Sequence, residues 1–285
     1  MAELTIIIPV YNEEKSIKQT LTDVKASIKK IPGNCEIIVI NDGSTDNTSS
    51  VISKESSVEV IKHKANKGYG ASIKTGIRFA KYNNICIVDA DGTYPIKKIP
   101  ELFNIYIESK SDMVVGARTG KDVTHPLFRK IFNTIINSIG NYITGVKIPD
   151  INSGLRIFNK KIAMKFYNLY PDGFSFTTTI TMSMLSRGYE VEFIPINYFK
   201  RLGKSKISPF WDTINFFSLL IKILIYYNPL KIFMPFVLLF LLISIFFLYR
   251  DVFIIHNLSQ STVLFPIITL QLLLTGLIAD LISKK

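Results

Sequence analysis

The chain has 285 residues, 48% of them hydrophobic, and a formal charge of +12, so it exceeds one average domain without requiring two. Its Lys and Arg residues are scattered, with no dense basic run interleaved with aromatics; nucleic acid is the weaker partner, and anionic lipid headgroups or a phosphorylated substrate fit better. Two cysteines, Cys35 and Cys86, both in apolar runs, argue against a disulfide framework and for reduced core thiols in a cytosolic compartment.

Short apolar runs alternate with helical patterns through the first half. Residues 4–10 read as a strand and 14–30 as a helix; 35–41 is a second strand that ends in a turn-rich stretch. A helix near 48–55, a strand over 58–62, a helix over 69–81 and a strand over 84–89 follow. Residues 97–109 are again helical and 112–116 form a fifth strand. Continuous apolar strands alternating with helices predict an α/β fold with a mostly parallel sheet covered on both faces. Ligands of such sheets sit beyond the carboxyl ends of the strands, which gathers the loops at Asn12, Asp42, Asp89–Asp91 and Arg118 on one rim.

Over 125–144, Leu127, Ile131, Ile135, Ile139 and Tyr142 recur on one helical face, as in a core helix or one lying on a membrane. In 208–228, Asp212, Asn215, Ser218 and Lys222 make a thin polar stripe on an apolar helix, the pattern of an interfacial helix. Residues 232–249 and 258–279 carry no charge, and each is close to the roughly 20 residues that cross a bilayer. The connector between them holds little positive charge, whereas Lys222, Lys231, Lys284 and Lys285 flank the outer ends. The positive-inside tendency then puts the leading domain and the C-terminus in the cytoplasm. The N-terminus lacks a basic region before a long apolar run, so no cleaved signal is expected. The expected organisation is a domain over 1–207, an amphipathic helix over 208–228 and a two-span anchor over 229–285.

Val88-Asp89-Ala90-Asp91-Gly92 is the sharpest chemical signal. Two carboxylates one residue apart at a strand-to-loop junction reach a common ligand once the extended geometry breaks. Mg²⁺ or Mn²⁺ takes such hard oxygen ligands and shares them with a diphosphate. A cation or solvent must balance two neighbouring carboxylates, because burying them uncompensated is costly. Asp42, closing the second strand, can accept from a nucleobase N–H, or it can cap a helix or shape a turn. Lys67-Gly68-Tyr69-Gly70 reads equally as a phosphate-contacting loop or as a turn entering a helix. Its glycine spacing is not the dinucleotide fingerprint, which disfavours a nicotinamide enzyme.

Ile7-Ile8-Pro9-Val10-Tyr11-Asn12-Glu13, Ile40-Asn41-Asp42-Gly43-Ser44-Thr45-Asp46 and Asp89-Ala90-Asp91-Gly92 stand in order, and together they resemble the family 2 glycosyltransferases of GT-A fold. Val115-Gly116-Ala117-Arg118, the run from Asp150 to Arg156 and Arg201-Leu202-Gly203-Lys204-Ser205-Lys206 narrow the resemblance to polyprenyl (dolichyl) phosphate mannose and glucose synthases. It covers roughly residues 4–207. The resemblance implies a nucleotide-sugar donor such as GDP-mannose or UDP-glucose, a polyprenyl or dolichyl phosphate acceptor, and Mg²⁺ or Mn²⁺. It implies that Pro9, Tyr11, Glu13, Ile40, Asp42, Lys67 and Ala90 line the donor site. Asp89 would face the ribose and diphosphate, and Asp91 would hold the metal with Asp89. Ser153, Arg118, Arg156, Arg201 and Lys206 would receive phosphates, with Asp89, Asp91, Arg118 and Arg201 closest to the chemistry. Many relatives place Leu and Gln or Ser after the second Asp, where this chain has Gly92-Thr93-Tyr94. The Gln-x-x-Arg-Trp run of processive polysaccharide synthases is absent; the one tryptophan is Trp211. A hydroxyl acceptor needs a base, whereas a phosphate monoester, with a second pKa of about 6, is already largely an anion. A hydroxyl acceptor on a glycan or glycolipid, and a silent membrane scaffold on the same fold, are the alternatives.

Overall fold

The computed structural model describes residues 2–120, 137–138, 140–142, 144–173, 175–199, 225 and 229–283. Two compact units divide the chain, Met1–Pro209 and Phe210–Lys285.

In the first unit, strands β1 (Ala2–Val10), β2 (Gly33–Asn41), β3 (Glu59–Lys62), β4 (Asn84–Ile87), β5 (Met113–Ala117), β6 (Arg156–Asn159) and β7 (Val191–Pro195) form one sheet in the order β3-β2-β1-β4-β6-β5-β7. Every pairing is parallel except those of β6, which runs antiparallel to both β4 and β5. Helices α1 (Ile17–Ile28), α2 (Thr48–Ile52), α3 (Tyr69–Phe79), α4 (Ile99–Ser109), α5 (Lys160–Lys165) and α6 (Phe176–Ser186) fill the connections. Side chains alternate across β1, so Leu4, Ile6 and Ile8 meet Leu21 and Val24 of α1 and Leu102 and Phe103 of α4 in one core. On the opposite face Ile7 packs directly against Gly76 of α3. Burying each such aliphatic side chain contributes about 1.5–3 kcal/mol, which is what holds the sheet between its helices.

Predicted and observed elements agree through β5, with α1 starting later than its periodicity suggests because residues 12–15 turn to meet the β2–α2 loop. Four elements have no counterpart in the sequence reading: β6, α5, α6 and β7. Helix α6 is buried on all sides from Phe176 to Leu185, so it shows no polar face and no amphipathic period. The expected helix over 125–144 lies largely outside the described residues, and that over 208–228 almost entirely. Cys86 is buried and Cys35 half-buried, both free; burial pushes both thiols up.

The second unit contains α7 (Pro229–Arg250), a short π-helical turn (Asp251–Ile255) and α8 (Gln260–Ser283). Both helices are long and apolar enough to cross a membrane, and large side chains such as Leu242, Phe246, Leu270 and Ile278 are exposed along them. At the turn the buried Asp251 carboxylate accepts from Ser259 N (2.6 Å), Thr262 Oγ1 (2.5 Å) and Arg250 Nε (2.8 Å), tying the two helices together. Gly276 lets the helices approach: a Cβ there would lie 2.9 Å from Phe233 Cβ.

Candidate active site

The rim at the strand ends is assembled from loops that bind one another. Asn12 sits in the left-handed region at φ +53°. Its Oδ1 accepts from Thr45 N at 2.8 Å, while its own N–H donates to Ser44 Oγ at 3.1 Å. Glu13 N donates to Thr48 Oγ1 at 2.9 Å, and Asp46 Oδ1 accepts from Thr48 N at 3.0 Å. Burial acts to raise the Asp46 carboxyl, but its hydrogen bonds from Thr48 and Glu14 outweigh that and hold it below the usual carboxylate range. Pro9 and Ile40, paired across β1 and β2, are buried beneath these loops, and Tyr11 and Glu13 are half-buried within them.

Asp42 is only 3% exposed. Its Oδ1 accepts from Lys67 N at 2.9 Å and faces His63 Nδ1 at 2.6 Å; its Oδ2 accepts from Gly68 N at 2.8 Å. Asp42 therefore shapes the turn entering α3. The amides of Gly70 and Ala71 at the start of that helix donate to the carbonyls of Gly173 and Asp172, at 3.2 and 3.0 Å. Those N–H groups are engaged by protein, so the helix start is a packed turn and not a phosphate cradle. Lys67 itself is exposed at its edge.

Beyond β4, Asp89 Oδ1 accepts from Tyr69 OH at 2.8 Å. The same carboxylate lies against the bare Cα of Gly154, where a Cβ would stand 2.7 Å from Oδ2. Gly154 N donates to Tyr94 OH at 2.6 Å. Asp91 is 9% exposed, and its Oδ1 accepts from both Thr93 N (3.1 Å) and Thr93 Oγ1 (2.6 Å). Thr93 and Tyr94, the positions where this chain departs from the family pattern, thus hold Asp91 and the Gly154 backbone. Ala90, between the carboxylates, is buried and accepts from Thr20 Oγ1 through its carbonyl. Burial pushes the Tyr69 and Tyr94 hydroxyls up, so both stay protonated, Tyr69 donating to Asp89 and Tyr94 accepting from Gly154 N–H.

Arg118 follows β5 and meets Asp150 in a two-point fork, Nε to Oδ2 at 2.8 Å and Nη2 to Oδ1 at 2.9 Å, with its backbone N–H also on Oδ2. Its guanidinium lies 5.1 Å from the Tyr198 ring centroid, and Tyr198 meets Tyr94 edge-on at 5.3 Å. Burial acts to raise the Asp150 carboxyl, but the Arg118 hydrogen bonds and charge hold it below its ordinary value. A continuous set of contacts therefore runs from Asp89 through Gly154, Tyr94 and Tyr198 to Arg118.

Arg156 requires a correction. It is fully buried, with Nη1 donating to Thr177 O and Thr181 Oγ1, both at 2.9 Å, and Nε and Nη2 on Ser153 O. No phosphate reaches it; burial lowers the guanidinium to about 10, and it acts as a strut beneath the 150–155 loop. Ser153 is buried likewise, its hydroxyl donating to Gly116 O at 2.5 Å. Arg201 and Lys206 lie outside the described residues. The sequence reading did not assign Tyr69, Tyr94, Asp150, Gly154, Tyr198 or His63 to the site. Asp150 and Gly154 carried a signal as part of a family-like run, and Tyr69 and Tyr94 stood in runs already singled out; His63 and Tyr198 carried none.

A mostly parallel sheet with one reversed strand and an acidic pair at the end of β4 defines a GT-A nucleotide-diphospho-sugar transferase fold. The chain belongs to glycosyl transferase family 2, whose sequence profile matches residues 5–166. A second profile, the GtrB C-terminal hairpin, matches residues 228–284. The low-salt glycan biosynthesis hexosyltransferase Agl6 of Haloferax volcanii is 26% identical over 213 residues, covering 73% of this chain but only 51% of that relative. The dolichyl-phosphate hexose transferase of the same organism is 26% identical over 209 residues, covering 73% of this chain and 88% of the relative. Among solved structures, glucosyl-3-phosphoglycerate synthase from Mycobacterium tuberculosis, in complex with Mn²⁺, uridine diphosphate and phosphoglyceric acid, matches with a TM-score of 0.58 at 15% identity over 78% of each chain. That likeness is one of fold.

Proposed function

We propose that the chain transfers a hexose, with inversion, from a nucleotide-sugar such as UDP-glucose or GDP-mannose to a polyprenyl or dolichyl phosphate at the cytoplasmic face of a membrane. One observation carries this reading: the acidic tip of β4 and the Arg118 cation belong to a single contact network, so a donor diphosphate and an acceptor phosphate have adjoining places. The dolichyl-phosphate relative and the hairpin profile support a lipid acceptor. Residues 1–207 carry catalysis, 208–228 lie along the membrane surface, and 229–285 anchor the chain with its C-terminus in the cytoplasm.

Pro9, Tyr11, Glu13, Ile40, Asp42 and Lys67 border the nucleotide, and Asp89, Ala90 and Asp91 lie under its diphosphate. Among the described residues no third His, Cys, Asp or Glu joins Asp89 and Asp91. Asp89 and Asp91 supply the hard oxygen donors that Mg²⁺ or Mn²⁺ prefers, and they would hold such an ion. An ion held there would supply charge neutralisation for a departing diphosphate. Asp150 engages Nε and Nη2 of Arg118, which leaves Nη1 to grip the acceptor phosphate, with Arg201 and Lys206 as its partners. An acceptor oxygen, already anionic, forms its bond to the anomeric carbon as the bond from that carbon to the diphosphate oxygen breaks. No general base is required. Confinement of the lipid beside the site makes the encounter local.

The test uses purified full-length protein, labelled donors, and a short polyprenyl phosphate beside the matching polyprenol. Sugar-phosphate-lipid identified by mass, with none formed from the polyprenol, is the expected product. Asp91→Asn and excess chelator should each reduce transfer by about 10²-fold or more. Full activity under either condition refutes the metal role, and transfer only to the polyprenol refutes the acceptor.

A further inference from the structure

Asp42 holds a fixed number of hydrogen bonds, and that number constrains the donor base. An ionised carboxylate offers about four lone-pair positions, two on each oxygen. Oδ1 is filled by His63 Nδ1 and Lys67 N, at 2.6 and 2.9 Å. Oδ2 receives Gly68 N at 2.8 Å. One acceptor position is left, on Oδ2. Because a carboxylate only accepts, the proton between Asp42 and His63 rides on Nδ1. The ring is fixed from its far side, where Nε2 lies 3.0 Å from Thr75 Oγ1 on α3. His63 is itself 7% exposed, so solvent does not compete for that bond.

The purine and pyrimidine edges differ in what they ask of such a group. Guanine presents N1–H and the exocyclic N2–H side by side and pairs with a carboxylate through both oxygens, each needing an open lone pair. Uracil presents the single imino N3–H. Cytosine has an unprotonated N3 at that position, which meets a carboxylate with repulsion.

We infer that His63, by closing the second position on Asp42 Oδ1, makes this a site for a uracil-bearing donor and not a guanine-bearing one. The inference rests on the proposed use of a nucleotide-sugar and narrows it to uridine diphosphate sugars. His63 is a positioning residue: it touches no substrate and acts through Asp42.

The test is calorimetric binding of UDP, GDP and CDP to the full-length protein in detergent with Mn²⁺. UDP should bind at least about tenfold more tightly than GDP or CDP, the scale of one hydrogen bond to a charged acceptor. GDP binding as tightly as UDP overturns the inference and leaves the transferase reading intact. CDP matching UDP overturns the imino contact in the same way. Binding of none of the three overturns both readings. His63→Ala opens Oδ1 and should narrow the UDP-to-GDP ratio, whereas His63→Asn, which keeps an N–H toward Asp42, should preserve more of it. An unchanged ratio in a folded His63→Ala protein overturns the role of His63. The ratio in the unaltered protein decides the base preference however either variant folds.

Discussion

Replacing Gly154 with alanine places a methyl carbon 2.7 Å from Asp89 Oδ2, 2.9 Å from Oδ1 and 3.0 Å from Cγ. Ordinary contact begins near 3.4 Å, so either the carboxylate or the loop must retreat by roughly 0.7 Å. Neither moves without loss. Asp89 is held by Tyr69 OH at 2.8 Å, and the Gly154 amide is held by Tyr94 OH at 2.6 Å. Overpacking of this kind costs about 1–3 kcal/mol of stability, which leaves most of the protein folded. With Asp89 in its proposed place beneath the donor diphosphate, a shift of that size should reduce transfer by about 10²-fold. The assay is initial-rate transfer from labelled donor to polyprenyl phosphate, with thermal unfolding measured on the same preparation. A Gly154→Ala protein that melts normally and transfers within about threefold of the unaltered rate refutes the reasoning, because Asp89 would then have tolerated displacement.

Removing one member of the Arg118–Asp150 fork strands the other. Both side chains are about one-tenth exposed, so Asp150→Ala should cost about 3–5 kcal/mol, read from denaturant unfolding of the full chain. The same pair predicts an acid limit. The Asp150 carboxyl is lower in the folded protein than its ordinary 3.8, so its contribution is complete above about pH 4 and is lost as pH falls through the lower folded value. Acid unfolding of the unaltered protein should therefore steepen below pH 4, and this component should be missing in Asp150→Asn.

The legible part of the fold was the part with continuous apolar runs. Strands β1, β2 and β4 and helices α1, α3 and α4 announce themselves because each strand is buried on both faces and each helix buries one face against the sheet. Helix α6 did not, since Thr177, Thr178, Thr179, Thr181 and Ser183 are all buried and its composition resembles a loop. Strand β6 is four residues long and opens with arginine, which no hydropathy argument assigns to a sheet interior. At the site, the acidic pair was readable from its place at a strand end. Arg156 was misplaced because the resemblance carries a cation over without its surroundings, and only the acceptors that enclose it, Ser153 O, Thr177 O and Thr181 Oγ1, show otherwise. The partners of Asp42 were equally hidden: His63 stands 21 positions away and meets Asp42 only because β2 and β3 run side by side.

The reversed direction of β6 has a consequence for how the family can vary. In a wholly parallel sheet, the segment leading into a strand enters at the edge remote from the ligand. Here Arg156 pairs with Ile87 and with Val115, so β6 begins where β4 and β5 finish. The stretch between Ala117 and Arg156 therefore departs from and re-enters the sheet at the same border. A change in its length leaves the strand register untouched, provided the Arg118–Asp150, Ser153–Gly116 and Gly154–Tyr94 contacts near its ends are kept. Variation confined between those contacts leaves β1, β2 and β4, and the donor side proposed to be built on them, unchanged.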